Sequence, residues 1–345
     1  MSTPFSSPGS RDVNRRTFLA WTGGIGAAVL ASACSAPEST SGSSNKKVAT
    51  SSKDVDTIAW DYPFTFLPVY AGVARFAKER AKEKGVSLEQ TNDNGKPDVQ
   101  AANLDTLIGK KVPAIVSFPM VFEAIEAQAA KALSAGIIWV TYGGTLKNQS
   151  ASITFSFEEG GRQLGEDAAA WAKENLGGKG KVAFLVDDTI QLGRERTAGM
   201  IDAFTKAAPD MKVVGREQAI DPDTALTKTK AILAKHPDVN VILGITDGAA
   251  FGGYKALVES GRAEDDAKTY VGGQDGDLGS LELIKKGTFY RASAALQLRD
   301  IGNAVIDVPL AVADGKSDAE ASTDVPIALV KKGDALLDEI ISQYG

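Results

Sequence analysis

The chain has 345 residues, longer than one ordinary small core, so it holds two domains or one large α/β domain. Its 43% hydrophobic and 24% charged residues are ordinary globular values, and a formal charge of −6 without a basic stripe argues against nucleic acid or anionic lipid as the main partner. One cysteine, Cys34, and one histidine, His236, exclude an intrachain disulfide and a zinc centre of the usual kind, and nothing implies a cofactor or a metal. His236 precedes Pro237 in a helix-ending stretch and reads as a residue facing water.

The first element is an apolar stretch from Ala20 to Ala33, preceded by Asn14-Arg15-Arg16-Thr17-Phe18-Leu19. It is too short to span the ~30 Å hydrocarbon core. A charged front, a short apolar middle and a small-residue end make residues 1–33 a signal peptide. The arginine pair with Thr-Phe-Leu resembles a twin-arginine export signal, although Ala20 stands where a lysine is usual. Leu30-Ala31-Ser32-Ala33-Cys34 resembles a bacterial lipobox, which implies that Cys34 is acylated and becomes the new N-terminus. Cleavage there removes three arginines and one aspartate, taking the net charge from −6 to −8. Residues 34–53, rich in Ser, Thr, Pro, Gly and Lys, cannot bury enough apolar surface to order themselves and read as a tether.

From Asp54 onward, short β-branched runs alternate with helical patterns. Strands are predicted at 57–60, 86–88, 114–117 and 137–141, with helices at 69–84, 99–109 and 122–135 between them. The pattern restarts with a helix over 158–175. Strands at 181–186, 212–214, 239–243 and 269–272 then alternate with helices at 194–207, 224–234 and 249–260. Such alternation implies parallel sheets covered on both faces. A TIM barrel and two doubly wound lobes both fit that count, and no internal repeat decides between them.

Four stretches carry a resemblance. Ser156-Phe157-Glu158-Glu159-Gly160-Gly161-Arg162-Gln163-Leu164-Gly165 is similar to the start of the second lobe in the type I periplasmic-binding-protein family, specifically its ribose- and galactose-like sugar binders. Gly193-Arg194-Glu195-Arg196-Thr197-Ala198-Gly199-Met200 resembles that family's arginine-bearing helix start. Ile245-Thr246-Asp247-Gly248-Ala249-Ala250-Phe251-Gly252 and Val271-Gly272-Gly273-Gln274-Asp275-Gly276 resemble two of its turns. The resemblance implies an α/β fold of two doubly wound parallel-sheet lobes joined by three hinge crossings, near Thr154, Gln297 and Val325. The N-terminal lobe would be 54–154 plus 298–325, and the C-terminal lobe 155–297 plus 326–345. It further implies an extracytoplasmic, monomeric, lipid-anchored binder that passes a sugar, cyclitol or polyol to an ABC permease in the membrane.

A sugar presents C–H faces to aromatic rings and hydroxyls to Asp, Asn, Arg and Gln. The resemblance places Asp61, Tyr62, Phe64 and Phe66 at the end of the first strand, with Tyr62 and Phe66 as the stacking rings. Core packing is the competing role for these aromatics. Arg194 maps onto the family's sugar-binding arginine, Gln297 onto its cleft glutamine, and Asp247 and Asp275 each follow a buried strand. Helix capping is the competing role for the two aspartates. One departure stands out: the fourth strand ends Val140-Thr141-Tyr142-Gly143-Gly144, where sugar binders of this family often carry Asp-Arg. The ligand is therefore expected to be held differently from ribose or galactose.

Other motifs fail on spacing. Gly177-Gly178-Lys179-Gly180-Lys181 lacks the Ser/Thr of a P-loop and precedes a strand instead of following one. Asn92-Asp93-Asn94-Gly95 and Asp275-Gly276-Asp277 lack a calcium loop's ligand set. There is no Gly-x-Ser-x-Gly elbow, and His236 is poorly placed to act as a base. A binder without catalysis is the expected class, with an exported carbohydrate-active α/β enzyme or a ligand-presenting partner of a membrane sensor as the alternatives.

Overall fold

The computed structural model describes residues 51–64 and 67–344. The signal segment, Cys34 and most of the tether fall outside these residues, as does Phe66. A short 3-10 turn, Ser52–Asp54, leads into β1 (Thr57–Tyr62), α1 (Pro68–Lys84), β2 (Ser87–Asn92), α2 (Pro97–Lys110), β3 (Ala114–Ser117), α3 (Phe122–Ser134), β4 (Ile138–Tyr142) and β5 (Ala151–Thr154). The second half runs α4 (Phe157–Leu176), β6 (Gly180–Val186), α5 (Gln191–Ala207), β7 (Met211–Gln218), α6 (Pro222–Lys235), β8 (Val241–Gly244), α7 (Asp247–Glu259), β9 (Tyr270–Asp275), α8 (Leu278–Lys286) and β10 (Tyr290–Ala295). The chain ends with α9 (Leu298–Ala313), α10 (Asp318–Ala321), β11 (Thr323–Asp324), β12 (Ala328–Lys331) and α11 (Ala335–Ser342).

Two six-stranded sheets result, ordered β11-β5-β4-β3-β1-β2 and β12-β10-β9-β8-β6-β7. Each contains the doubly wound 2-1-3-4-5 order. All pairings are parallel except that of β12 with β10. The chain passes between the sheets after Thr154, after Ala295 and after Asp324. Of the two sequence alternatives, the two-lobed arrangement is the one found, and the barrel is not.

The central strands β3, β4, β8 and β9 are buried at every residue, which is why they read as continuous apolar runs. In the first lobe α1 and α9 cover one face of the sheet and α2 and α3 the other. In the second lobe α4 and α5 lie on one face, and α6, α7, α8 and α11 on the other. Helices α4 and α5 touch backbone to backbone. A Cβ at Gly161 would lie 2.3 Å from the Arg196 carbonyl oxygen, and one at Gly199 would lie 2.1 Å from that of Glu158. Real Cβ atoms essentially never come that close, so this crossing requires glycine. Two of the stretches that carried the sequence resemblance are thus the two sides of one helix contact.

Three differences from the sequence reading bear on the site. Strand β1 extends two residues past Trp60 and takes Asp61 and Tyr62 into the sheet. Helix α5 begins at Gln191, so Arg194 lies inside it and does not open it. Strand β5, Ala-Ser-Ile-Thr, has too weak an apolar signature to be read locally and exists because β4 and β11 flank it.

Candidate functional site

Open α/β sheets bind ligands at the carboxyl ends of their strands, where the strand order reverses. In these two sheets that point lies at the ends of β1 and β3 and of β6 and β8, and the two ends face one another across a closed cleft. Leu192 and Phe157, from the second half of the chain, pack into the first lobe's core cluster. The closed lobes enclose a cavity of about 70 Å³.

The charged centre of this cavity is Asp275 at the end of β9. Its φ of +105° lies in the region that L residues rarely adopt. Asp247 holds the turn that produces it. One carboxylate oxygen of Asp247 accepts from the Gly276 N–H at 2.9 Å, the Asp277 N–H at 2.8 Å and the Ser293 hydroxyl at 2.8 Å. The other accepts from the Tyr290 hydroxyl at 2.7 Å. The Arg196 guanidinium sits 2.7 Å from Asp275 Oδ1, donates to the Ile245 carbonyl at 3.0 Å and lies 4.3 Å over the Phe157 ring. Asp275 Oδ2 is buried and has no partner. Burial raises the pKa of Asp275, and Arg196 pulls it part of the way back. Burial, together with the charge of Asp275, pushes Asp247 up to about 7, against the hydrogen bonds it accepts.

The rest of the second-lobe wall is apolar or already hydrogen-bonded. Asp187 Oδ1 accepts from the Thr189 N–H and from Gln218 Nε2, both at 2.8 Å. The Thr246 hydroxyl donates to the Ile220 carbonyl at 2.7 Å and caps α7 by accepting from the Ala249 N–H at 3.0 Å. The first lobe contributes rings and aliphatic side chains: Phe64, Leu67, Val69, Val73, Phe118 and Phe155, together with Tyr70 and Tyr142. Burial raises the pKa of both tyrosines, and the charge of Asp275 raises them further while Arg196 opposes it. At the cleft edge the Val69 N–H, in the first turn of α1, donates to the Asp277 carboxylate of the opposite lobe.

Of the sequence-predicted residues, the structure brings Phe64 and Asp275 to this cavity. Arg194 is corrected: it is exposed, and its guanidinium donates to the Asp188 carbonyl at 3.1 Å. Arg196, two residues on, takes the cleft position, because positions i and i+2 of a helix point to nearly opposite sides. Asp61 is also corrected. It is 0% exposed and faces α2, accepting from Thr91 Oγ1 at 2.6 Å, Ser117 Oγ at 3.0 Å and, more weakly, Gln100 Nε2 at 3.4 Å. Asp93 shares that pocket, and burial with the neighbouring Asp61 charge raises it to about 8, so it carries the proton between them. Tyr62 does not line the cavity; it packs between Trp60, at 4.8 Å between ring centroids, and Tyr70, at 5.8 Å. Asp247 lies behind the wall as the turn's anchor and is not a cap; Thr246 is the cap. Gln297 is half-buried at the N-cap of α9 and is not part of the cavity wall. The sequence reading missed Arg196, Tyr70 and Tyr142. Leu192 and Arg196 are four residues apart on an otherwise buried stripe, which is the signal that pointed to the second arginine.

Among the described residues no three His, Cys, Asp or Glu side chains gather into a set that could hold a metal ion. The cleft's chemistry is therefore recognition by one buried ion pair, two hydroxyls and a large aromatic surface.

The family model described as "Periplasmic binding protein domain" matches residues 63–317. The chain belongs to that family. It is 26% identical over 271 residues to the ABC transporter periplasmic-binding protein YphF of Escherichia coli, covering 76% of this chain and 82% of that one. It is 27% identical over 242 residues to the xylitol-binding protein of Mycolicibacterium smegmatis, covering 68% and 64%. An ABC transporter solute-binding protein from Mycobacterium smegmatis, solved with bound glycerol, superposes with a TM-score of 0.72 at 24% identity, covering 81% and 95%. Members of this family with Asp275, Arg196 and facing rings in a closed cleft are built to hold a small molecule between two lobes.

Proposed function

We propose that this protein is the solute-capturing subunit of an ABC importer and takes a small hydroxylated solute of the sugar, cyclitol or polyol kind. The observation that carries the reading is Asp275: a buried carboxylate in the inter-lobe cavity, paired through Oδ1 and left with a free Oδ2. An acceptor of that kind costs about 1–3 kcal/mol unless something donates to it, and a ligand hydroxyl does so. The names of the relatives, an ABC periplasmic-binding protein and a xylitol binder, support the same class. Closure follows from contacts made only when both lobes touch the ligand. The permease then distinguishes the closed form, and the ligand leaves chemically unchanged.

In this proposal the twin arginines Arg15 and Arg16 direct export, and acylated Cys34 holds a monomer at the outer face of the membrane through the 34–53 tether. The test is a thermal-shift screen over sugars, polyols, cyclitols and nucleosides, with small-angle scattering for compaction. A ligand at one hundred times its Kd adds ~2.7 kcal/mol to stability. The reading fails if no small hydroxylated solute shifts the transition, or if the ligand is recovered chemically altered.

A further inference from the structure

The cavity walls carry a narrower statement about the ligand, which rests on the capture role proposed above. A fully hydroxylated ring such as myo-inositol has a hydroxyl on every carbon, and each one buried without a partner weakens binding. A cleft for such a ring needs polar side chains converging from all sides. Here the described first-lobe wall offers only the Tyr70 and Tyr142 hydroxyls amid aromatic and aliphatic surface. Asp61, the carboxylate the chain places nearest on that side, is turned into the lobe and held by Thr91 and Ser117. In the second lobe the Thr246 hydroxyl is committed to backbone groups on both its donor and its acceptor side. What remains is one group of neighbours: Asp275 Oδ2 without a partner, the Arg196 guanidinium beside it, and the two tyrosine hydroxyls, which feel both charges. The hydrogen-bonding capacity of the cavity is confined to one end.

We propose that the cleft selects a small ring compound whose hydroxyls are confined to one edge, a vicinal diol on an otherwise apolar ring. One hydroxyl donates to Asp275 Oδ2, and its neighbour accepts from the Arg196 guanidinium. The hydrocarbon edge packs against Phe155, Phe118 and Val73, where a further hydroxyl would be buried unpaired.

Titration calorimetry on the full chain with two probes of one ring size, cis-1,2-cyclohexanediol and myo-inositol, tests this, with compaction by small-angle scattering as the second readout. The diol is expected to bind at least tenfold more tightly than myo-inositol and to compact the protein. Asp275→Asn keeps a residue type that tolerates positive φ and is expected to weaken diol binding at least tenfold. Tyr142→Phe, which removes only a hydroxyl, gives an independent loss should the first variant fold poorly. Tighter binding of myo-inositol, with compaction, overturns the one-edged ligand and leaves the capture role standing. Absence of binding and compaction with either probe, and with the wider sugar screen, overturns both.

Discussion

Replacing Arg196 by alanine tests the centre of the site, because this guanidinium does three things at once. It neutralises Asp275 at 2.7 Å, donates to the Ile245 carbonyl at 3.0 Å and lies 4.3 Å over Phe157. Its side chain is 11% exposed and that of Asp275 is 3% exposed, so water screens the pair weakly. Removing one member of a buried pair typically costs about 3–5 kcal/mol, chiefly through the charge left behind. Here the lower end applies, because burial already raises the Asp275 pKa and the orphaned carboxyl takes up a proton instead of remaining charged. A loss of about 3 kcal/mol corresponds to a fall of about 5 °C in Tm for a body of this size.

The pH dependence of that loss identifies its cause. In Arg196→Ala the folded-state pKa of Asp275 rises further above its unfolded value. The protonated carboxyl therefore supports the fold fully below the ordinary carboxylate range, and that support is lost as pH rises through the folded value. The deficit against wild type, followed by differential scanning fluorimetry, is expected to be small near pH 4 and to grow towards pH 8. Ligand affinity at pH 7 is expected to fall about 30-fold, equivalent to one charged hydrogen bond of about 2 kcal/mol. Arg194→Ala is the matched control: exposed and bonded only to the Asp188 carbonyl, it is expected to stay within ~0.5 kcal/mol of wild type. A pH-independent deficit, or an affinity loss in Arg194→Ala that Arg196→Ala does not show, would refute the assignment of the cleft arginine.

Asp93→Asn mimics the protonated acid that Asp93 forms beside Asp61. Wild-type stability is expected to fall between about pH 4 and pH 8 as the proton raised to about 8 is lost, by up to about 1.4 kcal/mol per pH unit. Urea unfolding of the variant should show a flatter profile over that window, and an unchanged slope would place the proton elsewhere. Gly199→Ala puts a Cβ 2.1 Å from the Glu158 carbonyl oxygen, so about 1–3 kcal/mol should be lost in chemical denaturation as α4 and α5 separate. Cys34→Ala should move the protein from the membrane fraction to the soluble fraction without altering ligand affinity, and unchanged fractionation would remove the lipid anchor from the proposal.

The alternation of strands and helices was legible as far as Gly272 because each central strand is buried on both faces and announces itself as an apolar run. The strands that the sequence reading lacked are those whose existence depends on neighbours: β5 between β4 and β11, and β10 beside β9 and β12. The site was legible as a set of loops and illegible as a set of side chains. Asp275 could be placed because it ends a strand, and its carboxylate faces the cavity. Asp61 ends its run in the same way on paper, but β1 continues through it, so register sets it opposite Thr91 on one neighbour and Ser117 on the other. Two hydroxyls that close leave the carboxylate nothing to offer a ligand.

The same argument explains why a charged first-lobe residue and the Asp-Arg pair expected after the fourth strand are lost together. Strand alternation turns Trp60 and Tyr62 toward α1, and Tyr142 at the end of β4 faces the same side. Trp60 and Tyr142 pack edge to face at 6.0 Å, and Tyr62 and Tyr70 stack at 5.8 Å. A carboxylate introduced at position 142 would be buried among these rings with no guanidinium on its own lobe to meet it, at a cost of several kcal/mol. The first-lobe wall can thus be apolar throughout or rebuilt throughout, but it does not tolerate one polar substitution at a time. Recognition falls to Asp275 and Arg196 in the opposite lobe, and binding couples the two lobes by pressing a ligand held at one end against a wall of rings at the other.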